Sequence, residues 1–190
     1  MEFGNLREEI ERFTPFNEQE EADKVFMIEF IDNNEDYLTR NNCVGHFSAS
    51  NWIVNKDRTK VLMIYHNIYN SWAWTGGHAD GEENLFNVAL REATEESGIK
   101  KLKPLYNGIF SLEDLTVNGH IKRDKYVSSH LHLNCTFLFE ASEEMELRIK
   151  EDENSNVQWI DIDKVVELVS EPHMRPIYQK LIDKVRNVID

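Results

Sequence analysis

Cysteine is scarce in this chain of 190 residues. The two cysteines, Cys43 and Cys135, lie far apart and outside any CxxC pair. Neither a disulfide framework nor a cysteine-ligated zinc site is therefore expected. This sparse usage is typical of proteins in a reducing compartment, and we expect a cytoplasmic location.

Long apolar runs and basic clusters are also missing. The longest unbroken apolar run, residues 61–65, is far too short to span a bilayer, and no basic-then-apolar leader opens the chain. The formal charge is −14, which repels nucleic acid, membranes and phosphate ligands alike. A function that handles phosphates would therefore need a cation to neutralise the local field.

The chain divides into a helical segment and a longer region that mixes strands with helices. Residues 1–40 are predicted to be a helical N-terminal extension, with a capping box at Asn17 and Glu20. Residues 41–190 form the second region, without an internal repeat, and its enclosed strands favour an α+β or α/β sandwich. Strands are predicted at 46–54, 60–66, about 105–117, 130–140 and 156–160. Helices are predicted near 84–97, 162–169 and 173–189, with a tight turn at residues 76–77.

The helix near 84–97 is apolar where it begins and acidic where it ends. At about 100° per residue, Glu92 and Glu96 fall inside the apolar arc, and Glu95 lies at its edge. Like charges at this spacing cost roughly 0.2–0.5 kcal/mol per pair, and a partly buried carboxylate costs more. Either this is a solvated helix end, aided by the lysines beyond it, or the three carboxylates hold a divalent cation.

The wider spacing is specific. Gly77, five residues, Glu83 and seven residues precede the run REATEESGI at 91–99. This segment resembles the Nudix box of the Nudix hydrolase superfamily at every charged and glycine position. It departs from the pattern at Ala93, where a larger aliphatic residue is usual. The resemblance implies a Nudix-type α/β/α sandwich with a mixed sheet, of class α+β, carrying N-terminal and C-terminal helical additions.

The resemblance also implies a reaction. It predicts a metal-dependent hydrolase that uses Mg²⁺ or Mn²⁺ to cleave a pyrophosphate linkage in a nucleoside diphosphate linked to another moiety X, or in a related small organic polyphosphate. Glu92, Glu95 and Glu96 would hold the metal, and Glu92 would help to deprotonate water. Arg91 and Glu83 would brace Glu92.

A further acidic metal ligand is expected from a loop before a late strand. The segment KEDENSNVQW supplies the candidates, and Glu153 is our choice. An ordinary surface loop is the alternative. The rival acids are Asp152, Glu140, Glu143 and Glu144.

Several polar and aromatic residues could contact the substrate. His130 and His132 share one face of a predicted strand and could line a pocket, form an ordinary polar face, or bind zinc, although the sequence offers no convincing third ligand. His78 follows the glycine pair and could point at the same site. The other candidates are Gly77, for close backbone approach, and Trp52 and Trp74, for stacking on a base if they are not packing residues.

Two further functions stay open. One is a catalytically weak Nudix-fold module that binds nucleotides or regulates. The other resembles an isoprenoid-diphosphate isomerase and would need Cys43 as a catalytic cysteine. The complete acidic run favours hydrolysis. The expected partner is a small phosphorylated substrate rather than nucleic acid or a membrane, and a homodimer is left open.

Overall fold

A mixed β-sheet lies between two helical layers in the computed structural model, which describes residues 5–122 and 124–188. The helices are α1 (Leu6–Arg12), α2 (Glu18–Asn33), α3 (Leu85–Ser97), α4 (Val165–Leu168), preceded by a 3₁₀ turn (Ile162–Lys164), and α5 (Arg175–Val188). The strands are β1 (Gly45–Val54), β2 (Lys60–His66), β3 (Ser71–Ala73), β4 (Thr75–His78), β5 (Lys103–Pro104), β6 (Ser111–Val117), β7 (His120–Lys122), β8 (Lys125–Val127), β9 (His130–Glu140) and β10 (Asn154–Asp161).

Strand β1 is the centre of the sheet. The order is β10-β2-β1-β9-β5, with β3 paired to β2, β4 to β1 and β6 to β9. The β1–β9 pair is parallel, whereas the other strand pairs are antiparallel, and β7 and β8 form a separate hairpin. The long parallel pair sets His46 opposite His132, and β4 sets His78 opposite Ser48. The register therefore gathers histidines at one end of the sheet.

Each face of the sheet has its own apolar core. Helices α1, α2 and α3 contribute Leu6, Met27 and Val88 to the first, which is completed from the sheet by residues such as Phe47 and Phe137. The second core lies under α5 and joins Trp52, Leu138, Tyr178 and Leu181. Apolar side chains alternate between the two cores along β1, which explains why this strand is buried throughout. The predicted α/β/α sandwich is confirmed.

A buried charge cluster joins α2 to α5 beneath β6. The Glu20 carboxylate is fully buried and accepts a hydrogen bond from Lys184 Nζ at 2.7 Å, while Lys180 Nζ lies 3.2 Å from it and 3.0 Å from Glu113. Burial would raise the pKa of Glu20, but the two lysines outweigh it and the pKa is lowered. All four charges are compensated, as buried ions must be.

Helix α2 also covers the edge of the sheet formed by β6. Gln19 Nε2 donates to the carbonyl of Leu112 at 2.9 Å, and the Asp114 N–H donates to Asp23 Oδ2 at 2.9 Å. Among the strands of residues 5–122 and 124–188, none pairs with this edge of β6, and α2 supplies the partners. The N-terminal extension is therefore packed against the sheet.

Local predictions fail where tertiary pairing decides the backbone. The tight turn predicted at Gly76 and Gly77 is wrong, because both residues are extended in β4 and pair with Ser50 and Ala49. The strand predicted over 105–117 starts later, as β6, and the β7–β8 hairpin was not predicted. The helix predicted at 162–169 is a 3₁₀ turn followed by four residues of α-helix. Residue 189 of the last predicted helix lies outside the described residues, and within those residues no helix has the length and apolar character needed to cross a membrane.

Candidate active site

Helix α3 delivers its acidic end onto strand β4. Its first turn is capped by Asn84, whose side chain accepts from the Asn87 N–H, and it ends at Gly98, which has a φ of 80°. Between these caps the apolar stripe fixes which residues face the sheet. Glu96 is only 3% exposed, and it accepts a hydrogen bond from the Gly76 N–H at 2.9 Å. A carboxylate predicted to face inward does so.

Gly77 is held against the second inward carboxylate. A Cβ atom on Gly77 would lie 2.5 Å from Glu92 Cδ, so only glycine allows this approach. Arg91 contacts the same carboxylate, with its guanidinium Nη2 3.1 Å and Nε 3.3 Å from Oε1 of Glu92. Arg91 therefore contacts the carboxylate that it is predicted to brace.

Both inward carboxylates hold protons more tightly than exposed acids do. Burial raises the pKa of Glu92, and the neighbouring Arg91 opposes this only in part. Burial also raises the pKa of Glu96 well above its usual range, and the charges of Glu153 and Glu92 add to the effect. A desolvated group of carboxylates favours a cation, which offsets both the burial and the mutual repulsion.

A loop before β10 brings a fourth carboxylate and a lysine to this group. Lys150 Nζ lies 3.1 Å from Glu153 Oε2 and 3.3 Å from Glu95 Oε2, while Glu153 is close enough to Glu96 to shift its pKa. Asn154, which follows directly, donates to the Glu96 carbonyl at 3.0 Å and fixes the loop on α3. The Lys150 ammonium therefore lies where these carboxylates attract positive charge.

The donor set suits a hard divalent cation. The four carboxylates that converge here supply oxygen ligands of the kind Mg²⁺ and Mn²⁺ prefer, and none is a soft sulfur donor. These carboxylates belong to Glu92, Glu95, Glu96 and Glu153. The residues present therefore fit a metal centre.

Comparison with known proteins agrees with this geometry. A family model described as the NUDIX domain matches residues 45–181. The chain belongs to the Nudix family.

Individual relatives point the same way. An RNA pyrophosphohydrolase of Pelagibacter ubique is 25% identical over 142 residues, which cover 73% of this chain and 89% of the relative. An Ap4A hydrolase of C. elegans superposes with a TM-score of 0.55 at 18% identity, covering 73% of this chain and 98% of that one. The E. coli dihydroneopterin triphosphate pyrophosphohydrolase superposes with a TM-score of 0.55 at 17% identity, covering 73% and 95%.

Family membership gives the enzyme class. This Nudix chain is a pyrophosphohydrolase, as the sequence predicted. Nudix hydrolases act on small phosphorylated substrates and generally use divalent metals. The two solved structures support the fold alone, and they agree with the mixed sheet and its helical layers.

Other predicted acids lie elsewhere in this Nudix domain. Glu83 is exposed, and its charge acts on Tyr37, whose pKa is raised by burial and then by Glu83. Bracing of Glu92 by Glu83 is not seen in this geometry. Of the rivals to Glu153, Glu140 pairs with a lysine at 3.6 Å and Glu143 pairs with Lys60, away from the carboxylate group.

Two tryptophans predicted to stack on a base belong to the core. Trp52 is 0% exposed and stacks on Tyr178 at a centroid distance of 5.6 Å. Trp74 is buried against the edge of the same ring, at 5.2 Å. The burial of Trp52 and Trp74 does not support the predicted stacking on a base, because both rings pack on Tyr178 in the core.

The predicted histidines converge, and a fourth joins them. His132 Nε2 lies 3.1 Å from Nε2 of His130 and 3.2 Å from Nε2 of His78. His46, on β1, packs its ring 4.9–5.2 Å from the other three rings. The sequence analysis missed His46, although its alignment with His132 in the parallel pair is what brings it here.

Proposed function

We propose that this Nudix pyrophosphohydrolase uses Mg²⁺ or Mn²⁺ to cleave a pyrophosphate linkage in a nucleoside diphosphate linked to another moiety, or in a related small organic polyphosphate. The observation that carries the proposal is the pair of inward carboxylates, Glu92 and Glu96, against the Gly76–Gly77 backbone, with Glu95 and Glu153 beside them on the Lys150 ammonium.

Each residue is given the role that its contacts support. Glu95, Glu96 and Glu153 would hold the cation together with Glu92, and a bound cation would neutralise the phosphates and acidify water. Glu92 is suited to accept a proton from the attacking water, because burial has already raised its pKa. Arg91 holds the Glu92 carboxylate in position.

The candidates for the substrate side lie on β4 and β9. Gly77 lets the backbone approach the phosphates closely, and the partly exposed His78, His130 and His132, which lie on the other face of the sheet, stay candidates to contact the part of the substrate that extends beyond the phosphates. A small substrate is favoured over RNA because the net charge of −14 opposes a polyanion that spreads beyond the metal centre. The relative named as an RNA pyrophosphohydrolase makes RNA the competitor to test.

A substrate panel tests the proposed class. Nucleoside triphosphates, dinucleoside polyphosphates, nucleotide sugars, ADP-ribose and a 5′-triphosphorylated oligonucleotide are incubated with enzyme and Mg²⁺ or Mn²⁺, and released phosphate or pyrophosphate is measured. We expect turnover of small compounds that requires the metal. Preference for the oligonucleotide by kcat/KM, or turnover that survives complete chelation, would contradict the proposal.

Charge-removing variants test the metal ligands. Glu95→Gln and Glu96→Gln should each lower kcat at least about a hundredfold, the scale of lost metal or transition-state contacts. The melting temperature should not fall, because the amide oxygen introduced by Glu96→Gln can still accept a hydrogen bond from the Gly76 N–H. Glu167→Gln, an exposed acid on α4, is the matched control and should keep wild-type rates.

The remaining assignments stay predictions. A cytoplasmic location is supported by the two free cysteines, one of them exposed, and cell fractionation would test it. A homodimer can be tested by sedimentation. The isomerase alternative needs Cys43, so isomerisation of an isoprenoid diphosphate that Cys43→Ser abolishes would favour it, and lack of turnover across the panel would favour the binding module.

A further inference from the structure

Four histidines from three strands meet at one end of the sheet. His46 comes from β1, His78 from β4, and His130 and His132 from β9. Ligand nitrogens of His46, His130 and His132 all lie within 4.8 Å of one another. Side chains alternate along β4, so Gly77 faces Glu92 while His78 faces the opposite side. The histidine cluster is therefore separate from the carboxylate centre.

Hydrogen bonds to carbonyl oxygens set the direction of two rings. His130 Nδ1 lies 2.8 Å from the Ser128 carbonyl, and His46 Nδ1 lies 3.4 Å from the Asn42 carbonyl. A carbonyl only accepts, so each Nδ1 carries the proton and each Nε2 presents a lone pair. This orientation, with Nδ1–H on a backbone carbonyl and Nε2 turned inward, is the one that metal-bound histidines adopt.

The nitrogens at the centre of the cluster cannot all satisfy one another. His46 is 4% exposed, and its Nε2 has no hydrogen-bond partner in the described part of the chain. His132 Nε2 carries at most one proton, yet it faces two other Nε2 atoms at 3.1 and 3.2 Å. A buried acceptor without a donor is costly, and a cation would satisfy all these nitrogens together.

The spacing matches a tetrahedral metal. With Zn–N bonds of about 2.0–2.1 Å, two ligand nitrogens on a tetrahedron lie about 3.3–3.4 Å apart. The two measured Nε2–Nε2 distances, which both involve His132, are 3.1 and 3.2 Å, and the ligand nitrogens of His46, His130 and His132 lie within 4.8 Å of one another, so the rings would have to close in on the ion to complete the geometry. Imidazole nitrogens select Zn²⁺ over the harder Mg²⁺ or Mn²⁺.

We propose that His46, His130, His132 and His78 bind one zinc ion. This site does not depend on the carboxylate centre, and its ion ties β1, β4 and β9 together at the end of the sheet. Because zinc binds the folded arrangement, in which ligands from three strands meet, binding stabilises the fold.

Metal binding by the whole chain tests the proposal. Protein stripped with a chelator and then dialysed free of it is titrated with Zn²⁺, and bound metal is counted by mass spectrometry. We expect one tightly held zinc per chain, submicromolar affinity and a higher melting temperature. Co²⁺ in the same site should give the intense visible absorption of tetrahedral cobalt. The weak absorption of six-coordinate cobalt would overturn the assignment.

Variants locate the ion. His130→Gln and His132→Gln should each weaken zinc binding at least about a hundredfold, since each removes a ligand, whereas His120→Gln, a histidine outside the cluster, should not change it. Glu95→Gln should also keep zinc affinity, which separates this site from the metal centre of the proposed function. Melting curves without metal check that each variant folds. Equal zinc affinity in wild type, His130→Gln and His132→Gln would overturn the proposal.

Discussion

Gly77 offers a sharp test of how the backbone positions Glu92, the carboxylate to which we assign the catalytic proton transfer. In Gly77→Ala the new Cβ would lie 2.5 Å from Glu92 Cδ, whereas ordinary contacts begin at 3.4 Å. The backbone itself is extended and accepts alanine without strain. The clash must therefore be relieved by movement of the Glu92 side chain.

The size of that movement sets the expected loss. Glu92 must retreat by about 1 Å, and a misplacement of about 1 Å in an active site costs roughly a hundredfold in rate. Folding should survive, because the displaced group is the end of a flexible side chain with 13% of its surface exposed. Loss of a glycine from the unfolded chain even favours the native state by about 0.4–1 kcal/mol.

Gly76→Ala is the matched control. Its Cβ would lie 2.6 Å from the Ala49 carbonyl oxygen and 3.0 Å from Ser50 Cα, which are backbone atoms that cannot turn aside. This variant should lose about 1–3 kcal/mol of stability, the usual cost of overpacking. Urea unfolding and kcat are measured for both. If Gly77→Ala keeps the wild-type kcat, or loses as much stability as Gly76→Ala, the reasoning is refuted.

Three further changes test other parts of the structure. Burial, followed by the charges of Asp23 and Glu113, raises the pKa of Asp114 to about 8, so the free energy of unfolding should fall as pH rises from about 4 through 8. Asp114→Asn should remove that pH dependence from melting curves between pH 5 and 9, and an unchanged dependence would contradict the prediction. Lys150→Ala should tighten Mg²⁺ binding about five- to tenfold in calorimetry, because the competing ion pairs of this partly exposed lysine are worth on the order of 1 kcal/mol. Equal affinity would show that Lys150 does not compete with the metal. Trp52→Phe should cost about 1–2 kcal/mol of unfolding free energy at unchanged KM, whereas a raised KM would restore a substrate role.

Local signals predicted helix α3 and its inward face well. The helical repeat of apolar residues, the capping residues and the spacing of the acids all lie within one segment. The inward positions of Glu92 and Glu96 therefore follow from the helical repeat alone. Glu153, which stays a predicted ligand, lies just before β10 and close to Glu96. The helix positions depend on local signals alone, whereas Glu153 reaches Glu96 through a long-range contact.

Long-range pairing explains what the sequence could not predict. His46 meets His132 only through the register of a parallel pair, which depends on residues more than 80 positions apart. Gly76 is extended because β4 pairs with β1, although two adjacent glycines favour a turn. Trp52 is buried because helix α5 covers that face of β1, and nothing near Trp52 in sequence indicates the cover.

The charge cluster between α2 and α5 decides how far this chain can be shortened. Deleting residues 1–40 would remove Glu20, which contacts both Lys180 and Lys184, and so leave more buried positive than negative charge. The same deletion would bare the outer edge of β6, a template for strand addition by another molecule. We expect the shortened chain to aggregate, and light scattering would measure it. Glu20 and Lys184 both lie outside the family match at 45–181, so this enzyme has extended its fold at both ends with segments that depend on each other.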